Sequence, residues 1–525
     1  MRYFNTAGPV RCDEHYCLPP LQRLELEEVL MLIDQKKYFV LHAPRQTGKT
    51  SCLLALMEYL NKEGKYKALY INVEKAQAAR EDVSQGIKTI VSSLQRMEEF
   101  FWGTNFLYDW QKILEERGPH DGLETAISLL CQRAKKPVVL MIDEIDSLIG
   151  DTLISVLRQI RSGYAFRPKG FPQSIILCGV RDVRDYRIHA SQEKEIITGG
   201  SAFNIKAESL HLGDFNKREI SILYSQHTEE TGQEFEEGVI DYVWELTEGQ
   251  PWLVNALGYV ACFKIKQSRD RSKKITKDII EQAKEKIIIE RYTHIDQLAD
   301  KLREERVKKV IERILMGEEE PEDIPVDDIL YVRDLGLIKT HPSLRISNKI
   351  YQEVIPRELT FSTQLTITQE AAWYVREDGS LDMDKLMRAF QEFFREHSES
   401  WIERFDYKEA GPQLLLQAFL QRIVNSGGRI YREYGLGKRR TDLLVVWPTK
   451  DNNVQKIVIE LKILRKSLDK VVAEGLKQTK DYMDKCSALE GHLVIFDKRE
   501  DISWDEKIFE MEKTVDGKKI KVWGM

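Results

Sequence analysis

Two stretches of this chain carry residue types whose spacing suits phosphate chemistry. In the first, Ala43, Pro44, Arg45, Gln46, Thr47, Gly48, Lys49 and Thr50 follow the apolar run 38–41 and precede a Leu-rich stretch with helical spacing. A loop between strand and helix turns backbone N–H groups inward, and the helix N-terminus adds partial positive charge, so phosphate oxygens are held there. Lys49 supplies a flexible point charge for the β- and γ-phosphates of ATP, and the Thr50 hydroxyl is a ligand for Mg²⁺. Ala43 stands where such loops usually begin with glycine, a position that mainly needs a small residue. Further on, the apolar run 138–142 ends in Asp143 and Glu144, at the strand end where open α/β sheets bind ligands. Asp143 is the expected outer-sphere partner of Mg²⁺, and Glu144 is placed to orient and polarise the attacking water. Arg181, after the run 174–180, can sense the γ-phosphate. Arg158 and Arg161 are alternatives acting across a subunit boundary, against the ordinary reading of each arginine as a surface ion pair.

The second constellation lies near the C-terminus. Residues 456–464 read as a strand whose period of two puts Glu460 and Lys462 on one face and Ile457, Ile459, Leu461 and Ile463 on the other. Upstream, Asp442 opens the apolar run 443–447. If these strands pair, Asp442 and Glu460 can share one divalent ion, Mg²⁺ or Mn²⁺, and Lys462 can hold the water that attacks a phosphodiester. An amphipathic helix follows, with Gln478 and Tyr482 on one face, and the strand 491–496 is expected to complete the unit. The competing reading is an exposed Glu/Lys strand edge. Lys438, Arg439, Arg440, Arg465 and Lys466 bracket the site as a local phosphate-binding patch.

These groups need scaffolds. At 525 residues the chain exceeds one small fold, and 42% hydrophobic with 31% charged residues suits several buried cores. Lys plus Arg number 79 against 85 Asp plus Glu, so no global basic field holds nucleic acid. No signal-like or membrane-length apolar run appears, and the expected location is cytoplasmic. Seven dispersed cysteines read as reduced thiols, and Cys12, His15 and Cys17 lack the further ligand that structural zinc needs. Residues 38–250 alternate short apolar runs with amphipathic stretches, the rhythm of a parallel sheet covered by helices. The expected division is a P-loop ATPase core (1–214), a helical lid (215–300), a winged-helix-like domain (301–357), a linker (358–380) and an α/β nuclease-like domain (381–525). Asp327, Asp328 and Asp334 in the second helix of the winged segment would repel DNA phosphates, with only Arg333 to offset them, which favours a structural or regulatory wing over a groove reader.

The loop, Asp143-Glu144 with Ile145 and Asp146, the strand ending in Gly179, Val180, Arg181 and Asp182, and Gly249-Gln250-Pro251 together resemble the AAA+-related ATPases of the STAND class, over residues 1 to about 357. The resemblance implies that Pro251 lies in the lid near the nucleotide, that a winged helix follows, and that Asn5, Thr6, Ala7, Gly8 and Pro9 lie near the adenine. Pro251 also suits the first turn of a helix for its own sake. Asp442, Glu460-x-Lys462, then Gln478 and Tyr482 resemble the PD-(D/E)XK nuclease superfamily, over about 380–500. That implies a metal-dependent nuclease with Asp442, Glu460 and Lys462 carrying the chemistry and Gln478 and Tyr482 near the substrate. The pattern departs on the first helix, where Gln413, Gln417 and Gln421 replace the carboxylate of many members; Glu409 or Glu433 can substitute. The sequence thus points to a regulatory ATPase coupled to a nuclease acting on nucleic acid, DNA favoured over RNA, with nucleotide-dependent homo-oligomers as a further expectation. The alternative is a nucleotide-switched scaffold, or nucleic-acid-binding protein, whose nuclease-like domain does not cleave.

Overall fold

In the computed structural model the chain forms two compact units, Met1–His294 with Leu330–Ile338, and Ile295–Ile329 with Lys339–Met525. The structure describes residues 1–182, 187–189, 196–198, 205–315, 324–366, 374–404, 415–417, 419–420, 429–436, 439–449, 451, 453–465, 467–499 and 502–525.

The first unit opens with β1 (Tyr3–Phe4) and β2 (His15–Tyr16), paired in parallel. Its main sheet holds β3 (Tyr38–His42), β4 (Lys67–Asn72), β5 (Val138–Asp143) and β6 (Ser174–Gly179); β7 (Arg187–His189) and β8 (Ile196–Thr198) pair separately, and β9 (Lys206–His211) returns to the sheet. The order is β4-β5-β6-β3-β9, with every neighbouring pair parallel. Parallel strands need crossovers, and helices in those crossovers cover both faces, so the central strands β3, β5 and β6 are largely apolar while the edge strand β9 carries Lys206, Glu208 and Ser209. Alternate residues therefore fall into two separate cores. Val40, Ile71, Leu140 and Leu177 belong to one, and Leu41, Tyr70, Met141 and Cys178 to the other. From β3 the chain crosses to the far edge at β4, while β9 lies on the opposite side of β3. The loop after β3 thus opens at a topological switch point, the place where such sheets bind ligands.

Helices Lys217–Thr231, Val239–Thr247, Pro251–Tyr259 and Lys277–Ile289 follow where helical spacing predicts them. The first is started by a capping box between Asn216 and Glu219. Gly249, at φ +85°, admits no side chain: a Cβ would lie 1.8 Å from the Phe215 carbonyl oxygen, and the Phe215 N–H donates to the Gly249 carbonyl at 2.8 Å.

Along the chain, helix Val326–Asp334 precedes the short strands β10 (Ile338–Lys339) and β11 (Arg345–Ile346), in the order expected for a wing. The compactness of the fold nonetheless groups 330–338 with the nucleotide-binding unit, so 301–357 is not one separate body. The expected linker also differs, because helix Lys349–Thr366 runs through its first part.

The second unit carries a six-stranded sheet of β12 (Arg429–Leu436), β13 (Arg439–Pro448), β14 (Val454–Leu464), β15 (Glu490–Asp497), β16 (Glu510–Val515) and β17 (Lys518–Gly524), in the order β12-β13-β14-β15-β17-β16. Helix Leu468–Cys486 joins β14 to its parallel neighbour β15. The strand around 491–496 does not complete this unit. β17 pairs in parallel with β15, and the fully buried Val522 and Trp523 make the last hairpin part of the core. Truncating Trp523 to Ala is expected to cost this unit ~3–5 kcal/mol. Amide exchange should then quicken across β14 and β15 and stay unchanged across β3–β6; unaltered protection would make the hairpin dispensable.

Candidate functional site

The loop after β3 is shaped by two left-handed residues, Gln46 at φ +60° and Gly48 at φ +98°. Helix Lys49–Glu63 starts directly from Gly48, with no side-chain cap and no acidic residue in its first turn. Its first N–H groups are therefore left for an anion. Lys49 is buried, and its ammonium donates to the carbonyls of Ala43 at 2.8 Å and Pro44 at 2.9 Å. Thr47 donates its hydroxyl to the Pro44 carbonyl at 2.9 Å, while the Arg45 side chain is exposed. The Gln46 side-chain oxygen lies 2.5 Å from Nδ1 of His294, whose ring stacks on Trp252 with centroids 4.8 Å apart. Burial pushes His294 down to about 4 and keeps it neutral.

Asp143 ends β5 fully buried. Its Oδ2 accepts from the Thr50 hydroxyl at 2.7 Å and the Tyr70 hydroxyl at 3.0 Å, and its Oδ1 accepts from the Glu144 N–H at 2.9 Å. Glu144 is itself left-handed, at φ +58°. Burial raises its carboxyl above the usual Glu value, and repulsion from Asp146 and Asp143 adds to the shift. Thr50 and Asp143 thus bring a hydroxyl and a carboxylate together, a hard oxygen donor pair of the kind Mg²⁺ takes.

A cavity adjoins the loop, lined by Asn5, Thr6, Gly8, Gln46, Pro251 and Trp252, among others. Pro251 is the first residue of its helix, and Gln250 caps that helix with a side chain that accepts from the Leu253 N–H at 2.6 Å. Trp252 Nε1 donates to the Thr6 carbonyl at 2.9 Å, tying the N-terminal segment to helix Pro251–Tyr259. Arg23, which sequence reasoning passed over, also lines this cavity. It donates to the Thr47 carbonyl and, at 2.7 Å, to the Gly213 carbonyl, and its guanidinium lies 4.7 Å from the Phe215 ring centre. A single arginine before an acidic amphipathic helix gives no signal of this placement.

Arg181 is buried and ion-paired to Asp334, whereas Arg158 and Arg161 are exposed. Residues 183–186 lie outside the described residues. The reading of all cysteines as thiols is corrected: Cys12 and Cys17 form a disulfide, because the turn before β2 folds back and brings their Cα atoms to 5.2 Å. Cys52, Cys131, Cys178, Cys262 and Cys486 are buried thiols.

In the second unit β13 and β14 run antiparallel, with Leu443 opposite Ile459. One residue further along each strand stand Asp442 and Glu460, so the backbone brings these positions side by side. Asp442 lies inside β13 and does not open it; its side chain is outside the described residues, as are those of Glu433, Arg439 and Arg440. Glu409, Gln413, Gln421, Lys438 and Lys466 are outside altogether. Glu460 is 3% exposed, and Lys462 Nζ donates to its Oε1 at 3.0 Å. Both share a face of β14 with Val458 and Leu464, which pack with Tyr482 and Met483 of helix Leu468–Cys486. That helix approaches closely at Gly475, where a Cβ would lie 2.5 Å from Leu493. Gln478 follows within a turn, and its Oε1 is buried with no hydrogen-bond partner among the described residues. Gln417 is buried, and Arg465 is exposed.

Asp384, Glu490 and His492 form a further cluster with metal-ligand atoms within 4.8 Å of one another. Its hydrogen bonds argue for a structural role. The Trp523 indole N–H can only donate, and it donates to His492 Nδ1 at 2.9 Å. The imidazole proton is therefore on Nε2, 3.1 Å from Glu490 Oε1, which leaves no lone pair for a metal; the Lys521 ammonium already neutralises Asp384.

Residues 33–186 match the protein family described as AAA domain. This segment is an AAA-type P-loop ATPase domain. No curated protein matches the chain. Among solved structures, the Walker-type ATPase PABY2304 of Pyrococcus abyssi is 15% identical at a TM-score of 0.44, covering 67% of this chain and 99% of its own. The Thermotoga maritima RuvB Holliday junction branch migration motor is 13% identical at a TM-score of 0.33, covering 64% and 94%. Cdc6p from Pyrobaculum aerophilum is 15% identical at a TM-score of 0.34, covering 68% and 96%. The family match, together with the loop geometry, carries the assignment. Among the described residues no helix is long and apolar enough to cross a membrane.

The AAA domain's Glu144 gives a pH test. Its folded carboxyl keeps its proton to higher pH than in the unfolded chain, so between 4.5 and its raised value the folded state binds more protons. Its contribution to stability falls as pH rises through that window. Glu144→Gln removes this titration and is expected to raise the Tm of the nucleotide-free protein above the window, with the difference vanishing below it. A Tm difference independent of pH would contradict the assigned environment.

Proposed function

We propose that this AAA-type ATPase is an ATP-controlled, metal-dependent nuclease acting on nucleic acid, DNA in preference to RNA. In this reading the nucleotide-binding unit is a STAND-like switch. The loop 43–50 cradles the triphosphate, Lys49 exchanges its carbonyl partners for phosphate oxygens, and Thr50 and Asp143 hold Mg²⁺. Glu144 orients the attacking water, Arg181 senses the γ-phosphate, and Pro251 closes the lid side of the pocket.

The observation that supports the nuclease half is the β13–β14 register, which sets Asp442 beside Glu460 on the strand that also carries Lys462. Carboxylate oxygens suit a hard divalent ion, and the buried Gln478 Oε1, unpartnered among the described residues, is a polar atom that awaits a partner. Mg²⁺ or Mn²⁺ held there supplies positive charge to the phosphodiester and acidifies water. Lys462 keeps further N–H donors for a water or a non-bridging phosphate oxygen while one remains on Glu460. Gln478 and Tyr482 position the strand being cut. Hydrolysis adds water oxygen to phosphorus and releases a sugar hydroxyl.

A second reading, a nucleotide-switched scaffold with an inactive nuclease-like domain, is favoured by Gln417, a buried amide on the helical stretch where many such nucleases carry a carboxylate. Incubation with supercoiled DNA, linear DNA and RNA in Mg²⁺ or Mn²⁺ separates the two. Cutting should be lost in Asp442→Asn and Glu460→Gln and fall at least about a hundredfold in Lys462→Ala; binding without cutting in either metal supports the scaffold. Lys49→Ala is expected to abolish ATP binding and the nucleotide dependence of cutting. Cutting that is unchanged in rate and nucleotide response would separate the two activities.

A further inference from the structure

Three donors of different kinds hold the Asp143 carboxylate. The Glu144 N–H belongs to the backbone and reaches Oδ1 at 2.9 Å. The Thr50 and Tyr70 hydroxyls both reach Oδ2, at 2.7 Å and 3.0 Å. Tyr70 comes from β4, the edge strand of the sheet, where it stands opposite Met141 while Asn72 stands opposite Asp143. Because strand faces repeat every two residues, Tyr70, Met141 and Asp143 share one face, and the long Tyr70 side chain spans the step from Met141 to the carboxylate. Its ring packs in the same core as Met141 and Cys178, and the residue is only 8% exposed. Burial, and after it the charge of Asp143, push the Tyr70 hydroxyl above its usual value, so it keeps the proton that it donates. On the other flank of β5, Cys178 of β6 offers a buried thiol, a much weaker donor.

A threonine hydroxyl has one proton and two lone pairs. Donating to Asp143 commits the Thr50 proton and leaves the lone pairs for a cation, but only while Oδ2 stays in place. A carboxylate turns readily about its last bond, because that torsion has a broad minimum. Thr50 does not fix Oδ2 alone, since its own hydroxyl is a free rotor. Tyr70 does, because its hydroxyl is fastened to a ring that the core packs from both sides. We propose that Tyr70 is a positioning residue for the ATPase metal, fixing Asp143 Oδ2 so that Thr50 turns a lone pair toward Mg²⁺. This rests on the reading of Thr50 and Asp143 as the residues that hold Mg²⁺. Tyr70 acts through Asp143 and leaves the loop 43–50 and Lys49 as they are, so its hydroxyl matters to nucleotide binding only when the metal is present. Groups that orient a metal's ligands are typically worth about 10- to 100-fold in metal affinity, and Tyr70, one bond further from the ion, belongs at the lower end.

The test is calorimetric titration of the full chain with ATPγS, once in Mg²⁺ and once in EDTA. The ratio of the two affinities is the gain from Mg²⁺. Tyr70→Phe, which keeps the ring and removes the hydroxyl, should bind ATPγS in EDTA within about twofold of the parent and show a gain about tenfold smaller. Tyr70→Met, a second apolar side chain without a hydroxyl, should do the same, so poor folding of one variant does not remove the test. A parent-like gain in these variants overturns the role of Tyr70. An equal loss of affinity with and without Mg²⁺ overturns it too, because a merely structural hydrogen bond acts on both. Thr50→Val tests the reading beneath: if it retains the parent's gain, or if the parent shows none, Thr50 does not hold the metal and both ideas fall. If Thr50→Val abolishes the gain and Tyr70→Phe leaves it intact, the metal site stands and Tyr70 does not position it.

Discussion

A carboxylate shut away from water must receive its hydrogen bonds from the fold, and Asp143 receives three, from Thr50, Tyr70 and the Glu144 N–H. Those donors stand on the first turn of helix Lys49–Glu63, on β4, and on the residue after β5. Satisfying this one side chain fixes the ends of two strands and a helix relative to one another. It also turns the chain sharply at Glu144, whose left-handed backbone places a second carboxyl in an already acidic, buried corner. The raised Glu144 carboxyl follows from that arrangement and needs no further cause.

The part of this site that local pattern marks is legible in the sequence. Lys49 and Thr50 follow a strand and start a helix, and Asp143 ends an apolar run, so local pattern alone reaches them. Arg23, His294 and Asp334 were not legible as parts of it. Each reaches the loop or its neighbouring strand from a distant segment, and nothing in local spacing distinguishes a buried Asp334 from a solvated one. Asp334 in particular reads as a residue that repels DNA; the fold instead gives it two arginines. The Cys12–Cys17 bridge was hidden for a related reason, since pairing depends on how the turn before β2 folds back.

In the second unit the placing of Glu460 and Lys462 on one face of β14 was legible, because a strand face repeats every two residues. The depth of Glu460 was not. A Glu/Lys pair at a strand edge is usually wet; here Glu460 is buried next to Leu493, on which helix Leu468–Cys486 packs at Gly475, while Lys462 stays partly exposed. The closing hairpin was signalled by Asp516-Gly517, both at positive φ, the backbone that a two-residue turn demands.

The partners of the cationic groups share a common logic. Lys49 is held by two loop carbonyls, and Arg181 by a carboxylate that a second arginine also serves. Neither cation is left bare in the nucleotide-free protein, which would be costly in a buried site. Carbonyls compete weakly with phosphate for an ammonium, because they carry partial rather than full charge. The loop itself is already bent by Gln46 and Gly48 and braced by His294 and Arg23. The frame that would receive a triphosphate is therefore already formed, so little binding energy would be spent on ordering its backbone.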